Sequence, residues 1–134
     1  MDRVTSPRRP PLVWLLAAIL TLEFLLVAAL AILSIVSIAQ SGSTDAASGI
    51  ALAVIIVLAA VWLAAMVVGL LRGHSWVRAA GIVWQVSQIA VGVGILGRQL
   101  AIALPLLIAA AAAFILLFTP QVVAATRHRD DSAV

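Results

Sequence analysis

A chain of 134 residues that is 65% hydrophobic and only 10% charged lies outside the balance of a soluble globular protein and reads as a single-domain membrane protein. Its net charge of +3 comes from arginines at or beyond the edges of the apolar runs, with no basic stripe or interleaved aromatics of the kind that reads nucleic acid. The absence of cysteine excludes disulfides, thiolate metal sites, iron–sulfur clusters and cysteine nucleophiles.

Residues 1–11 are a polar N-terminal segment with Arg3, Arg8 and Arg9 and the prolines Pro7, Pro10 and Pro11, through which a helix cannot run. The first apolar run, 12–39, exceeds the ~20 residues needed to span a bilayer. It is also about twice the ~7–15 residues of a signal-peptide core, so it is expected to be retained although Ser37-Ile38-Ala39 loosely resembles a cleavage site. Residues 40–49 form a polar loop containing Asp45. A second run, 50–71, and a third, 76–96, flank the tight connection Arg72-Gly73-His74-Ser75. The turn Gly97-Arg98-Gln99 leads to a fourth run, 100–118, which contains Pro105. Thr119-Pro120 ends that run, and 119–134 is expected to be a mobile cytoplasmic tail.

These runs predict an all-α fold with a transmembrane domain over 12–118: four antiparallel transmembrane helices in an up-down-up-down bundle. Arginine placement orients it. Arg3, Arg8, Arg9, Arg72, Arg78, Arg127 and Arg129 fall on one side and Arg98 on the other, which makes the protein multi-pass in the plasma membrane with both termini cytoplasmic. Trp14 and Trp76 are then expected at the inner interface, and Asp45 is placed to pair with Arg98 on the outer side.

Within the third run, Gly81, Gln85, Gln88 and Gly92 recur at spacings of four, three and four, which puts them on one helical face. Lipid offers an amide no hydrogen-bond partner, so this face should turn toward protein. Glu23 lies roughly 16 Å into the first helix at 1.5 Å per residue, and Gln88 is at similar depth from the same side. A charge at that depth costs on the order of 2.5–3.5 kcal/mol on insertion scales, so Glu23 needs partners, with Gln85 and Gln88 in reach. Trp62 and Trp84, also deep, are placed either to donate to Glu23 or to fill space. Two readings of this intramembrane polar set stand side by side: a proton- or ligand-binding site, or hydrogen-bonded glue between helices. The small pairs Ala65/Gly69 and Ala90/Gly94 allow close helix approach. His74 and His128 have no partner at metal-ligand spacing, and no catalytic constellation is present, so no metal, no cofactor and no enzymatic activity are expected.

The stretch from Arg72 through Trp76 and Arg78 to Trp84-Gln85, together with the closing Leu-Leu-Phe-Thr-Pro120, resembles a loose group of small four-helix integral membrane proteins of actinobacterial type. That resemblance implies layout but no activity. A second likeness, to small multidrug-resistance transporters, rests on Glu23 in the first of four helices and implies proton-coupled transport. The chain departs from that pattern in having no tyrosine and a longer first helix. Sequence alone therefore favours a non-enzymatic accessory or interaction protein, with a small proton-coupled transporter using Glu23 as the alternative. The expected partners are the lipid bilayer and either another protein or a second copy of the chain, not nucleic acid.

Overall fold

The computed structural model describes residues 10–41 and 46–127. The expectations that rest on Arg3, Arg8, Arg9, Asp45, His128 and Arg129 lie outside them. Five helices follow in order: α1 (Pro11–Ser41), α2 (Ala46–Leu71), α3 (Trp76–Ile95), α4 (Leu100–Leu117) and α5 (Pro120–Arg127), with no strand among the described residues. Three of them are long and apolar enough to cross a membrane, over Pro11–Gln40, Ala46–Leu71 and Leu100–Leu117. The third helix falls outside that set because Arg78, Gln85, Ser87 and Gln88 interrupt its apolar residues.

Prolines mark starts here as well as stops. Pro11 opens α1, where its locked φ suits the first helical position and its missing N–H costs no bond. At the other end Thr119-Pro120 terminates α4, and Pro120 then opens α5 in the same way. The expected tail is thus helical as far as Arg127, and it is held. Val122 and Thr126 are buried, and α5 packs on α1, α3 and α4. The start of α2 also differs from expectation, running back through Gly49 and Ser48 to Ala46. Gly49 sits against Ile38 of α1, with a Cβ position 3.2 Å from Ile38 Cγ1, so the close α1–α2 approach continues past the edge of the apolar run.

α1 packs mainly on α2, and α3 mainly on α4. The α3–α4 pair is antiparallel. A Cβ at Gly81 would lie 2.9 Å from Leu117 Cδ1, and one at Gly92 would lie 2.8 Å from Leu107 Cγ, so rising numbers on α3 meet falling numbers on α4. Large side chains fill one end of the molecule. Leu16, Leu20, Leu63, Met66, Leu70, Val77, Leu117 and Val122 are nearly inaccessible and form one cluster. Beyond Glu23 the buried positions are small: Ala31, Ala53, Ala60, Gly92, Ala103 and Ala110. There small residues let the helices approach closely, with Leu107 seated on Gly92 and Ile38 on Gly49, which is how helices associate where lipid removes the hydrophobic drive between them.

The outer surface is strongly apolar. Leu26, Leu33, Ile55, Leu58, Ile108 and Ile115 are each more than 60% exposed, on three different helices. A soluble monomer does not present such a surface, whereas bilayer tails would cover it.

Gly73 has φ +74°, a left-handed conformation that glycine adopts freely, and a Cβ there would lie 3.0 Å from the Ala125 carbonyl of α5. The α2–α3 turn and α5 therefore meet at the end that carries Arg72, Arg78 and Arg127, while Arg98 lies in the α3–α4 turn at the opposite end.

Gly92 and Gly94 separate packing from propensity. Gly94 has nothing within 4 Å of its Cβ position, so Gly94→Ala should leave stability unchanged or raise it, whereas Gly92→Ala should cost about 1–3 kcal/mol by overpacking against Leu107. Reversible unfolding of both variants in detergent micelles checks this. Equal stabilities would mean that the α3–α4 approach is looser than described.

Candidate functional site

The core stripe of α1 runs through Val13, Leu16, Ala17 and Leu20, and the next inward position is Glu23. Helical spacing thus carries the carboxyl into the bundle rather than toward lipid, and Glu23 is only 5% exposed. On α3 the buried face consists of Val77, Ala80, Gly81, Gln85, Gln88 and Gly92. Gly81 and Gly92 admit leucine side chains of α4, and that close approach holds the two amides between them inside.

Glu23 and α3 meet directly. Trp84 Nε1 donates a hydrogen bond to Glu23 Oε2 at 3.0 Å, linking residues 61 positions apart. The amides of Gln88 and Gln85 lie beside the same carboxyl, near enough to act on it. Gln85 is fully buried and Gln88 is 9% exposed. The cluster is not closed, however. Glu23 Oε1, both polar atoms of Gln85 and Gln88 Oε1 are buried without a hydrogen-bond partner.

Trp62 does not join this cluster. Trp62 is 46% exposed on the outside of α2, and its neighbour Leu63 takes the inward position with no exposed surface. Depth had made Trp62 and Trp84 equivalent, but one residue step rotates a helix by about 100°, and only Trp84 turns toward α1. Ser34 donates to the Leu30 carbonyl of its own helix at 2.8 Å, so its hydroxyl serves local bonding. Ser87 does the same toward Val83.

His74 sits in the α2–α3 turn, where its backbone N–H donates to the Gly69 carbonyl at 2.9 Å. Among the described residues no group of three His, Cys, Asp or Glu side chains is placed to hold a metal ion. Sequence reasoning did not single out Gly69 as a partner of Trp76, yet a Cβ at Gly69 would lie 2.8 Å from Trp76 Cζ2 and 2.6 Å from Val77 Cγ2. The available signal was a glycine one turn before a tight connection that leads into a tryptophan.

Compared with known proteins, the chain matches no family model, no curated protein and no solved structure.

The Trp84–Glu23 bond has a direct test. Trp84→Phe keeps most of the ring and removes the N–H, and it should cost about 1–2 kcal/mol because a buried carboxyl oxygen loses its donor. Trp62→Phe, on the outer surface, should stay within about 0.5 kcal/mol. Paired unfolding curves in micelles read the difference, and an equal loss for both would show that the indole bond contributes nothing specific.

Proposed function

We propose that this chain is a non-enzymatic, multi-pass protein of the plasma membrane with four antiparallel spans arranged up-down-up-down and both termini cytoplasmic. In this reading Glu23, Trp84, Gln85 and Gln88 form an intramembrane site that takes a proton or a small donor-rich solute, as in a small proton-coupled transporter. α3 qualifies as the fourth span because its polar residues Gln85 and Gln88 face inward, leaving Val83, Val86 and Val91 exposed on the outside. At 20 residues it reaches about 30 Å, enough to cross the hydrocarbon core.

One observation carries the functional part, namely the unpartnered polar atoms around Glu23. An inter-helix hydrogen bond in a membrane contributes ~0.6 kcal/mol on average, while each buried polar group left unpaired costs about 1–3 kcal/mol. Trp84 donates to Glu23 and the Gln85 and Gln88 amides lie beside the same carboxyl, yet four buried atoms of Glu23, Gln85 and Gln88 keep no hydrogen-bond partner of their own. As glue alone, the cluster is incompletely paired. An occupant that supplies hydrogen-bond donors would pair with them, because the two amide oxygens accept and Glu23 Oε1 accepts while the carboxyl is ionised. Intramembrane carboxyls also lean toward function on general grounds. An accessory or interaction protein, favoured by the sequence alone, needs no such occupant.

Transport is tested with the full chain in liposomes that carry an internal pH indicator. Guanidinium is a suitable solute, being rich in donors and unable to cross lipid by losing its proton. Guanidinium supplied against a proton gradient should move protons through the wild-type protein, and Glu23→Gln should lower that flux at least tenfold, or ~1.4 kcal/mol, while eluting as a folded species. Equal flux from wild type, Glu23→Gln and empty liposomes would sink the transport reading and return the protein to the accessory class, to be pursued by partner capture in mild detergent.

Topology is accessible separately because the chain lacks cysteine. Ser43→Cys should react with an impermeant maleimide in intact cells, and Ser132→Cys only after lysis. The opposite pattern would invert the orientation drawn from the arginines.

A further inference from the structure

A cleft of about 500 Å³ runs along the outside of α2 and ends at the α2–α3 turn. Its long wall carries Val61, Ala65, Val68 and Arg72, at spacings of four, three and four on one helical face. Ala65 and Gly69 keep the floor low. The Trp76 indole closes the end, and it lies there because Gly69 has no side chain to displace it. At the mouth stand Arg72, exposed, and His74, half-buried. From Val61 to Arg72 the strip spans eleven residues, roughly 16 Å at helical rise, which is about half the ~30 Å thickness of a bilayer's hydrocarbon core.

A strip one leaflet deep, apolar along its length and cationic at its end, has the dimensions and polarity of an anionic amphiphile. Charge points the same way. Among the described residues the sole acidic side chain is Glu23, far from this end, which also carries Arg78 and Arg127. We propose that the cleft binds one anionic phospholipid of the leaflet on the turn's side, with its phosphate against Arg72 and His74 and an acyl chain along Val61, Ala65 and Val68 beside the Trp76 ring. Arg72 carries five donors and a permanent charge, so it serves a phosphate alongside its other interactions. Basic pockets between helices at a membrane's cytoplasmic side recognise headgroups by this chemistry. The assignment needs the chain to sit in a bilayer, but it does not depend on any role of Glu23.

The test is native mass spectrometry of the full chain in mild detergent with phosphatidylglycerol and phosphatidylcholine of identical acyl chains. Phosphatidylglycerol should be retained about five-fold or more over phosphatidylcholine, as expected for basic residues at an anionic headgroup. The double variant Arg72→Gln, His74→Gln should remove that preference. Ala65→Phe, which fills the floor from an exposed position, should lower retention of both lipids, while Val91→Phe on the far surface of α3 should change neither. Thermal unfolding of each variant confirms that it is folded. Equal retention of the two lipids, or a preference that survives the double variant, overturns the proposal. Full displacement of the lipid by millimolar inorganic phosphate also overturns it, since the acyl strip would then contribute nothing. A dimer that Ala65→Phe dissolves, with no lipid preference, assigns the cleft to a second copy instead.

Discussion

Polar side chains carried by apolar helices must turn away from lipid, and the rest of this structure depends on how Glu23, Gln85 and Gln88 do so although only part of their polar atoms are paired. α3 carries two amides that lipid cannot satisfy, and α1 carries a carboxyl at matching depth. Turning all three inward fixes the rotation of both helices about their axes. The Trp84–Glu23 hydrogen bond then ties α1 to α3 across the bundle, although each of these helices packs most extensively on a different partner. Without that tie the α1–α2 and α3–α4 pairs would share only their narrower contacts.

The polar cluster also sits at a change in packing style. On the side of the α2–α3 turn, leucines, Met66 and valines interlock around a dense core, and α5 covers its end. On the other side the buried positions are alanines and Gly92. Large side chains fill one half to interior density, whereas in the other half small buried residues let the helices approach closely. Glu23 and the two glutamines therefore lie where a half packed with large side chains meets a half whose buried positions are small.

Two features lie at the periphery, where sequence patterns are weakest. Thr119-Pro120 reads as a stop, and it does end α4, but whether a new helix follows depends on a surface for Val122 and Thr126 to bury against. Only the assembled ends of α1, α3 and α4 supply that surface. The cleft on α2 likewise exists because Trp76 folds back over Gly69, a contact between residues on either side of a turn. Neither is encoded by a local period.

By itself the sequence determined the four long helices and the inward face of α3. Apolar runs of bilayer length bounded by Pro, Gly and Arg specify helical segments from local physics. The recurrence of Gly81, Gln85, Gln88 and Gly92 marks a face whose amides must avoid lipid, and those four residues are buried. Glu23 was legible as a residue in need of a partner for the same reason. What only the tertiary structure decided was the partner's identity and the state of the site. Trp62 and Trp84 are equivalent in depth, and the choice between them rests on how each helix is rotated against its neighbours. That rotation is set by the summed packing of Leu63, Met66, Gly81 and Gly92 against residues far away in the chain. The unpaired atoms of Glu23, Gln85 and Gln88 arise from the same source. Distances between side chains on different helices follow from the packed geometry of all of them, and no spacing along one chain contains that information.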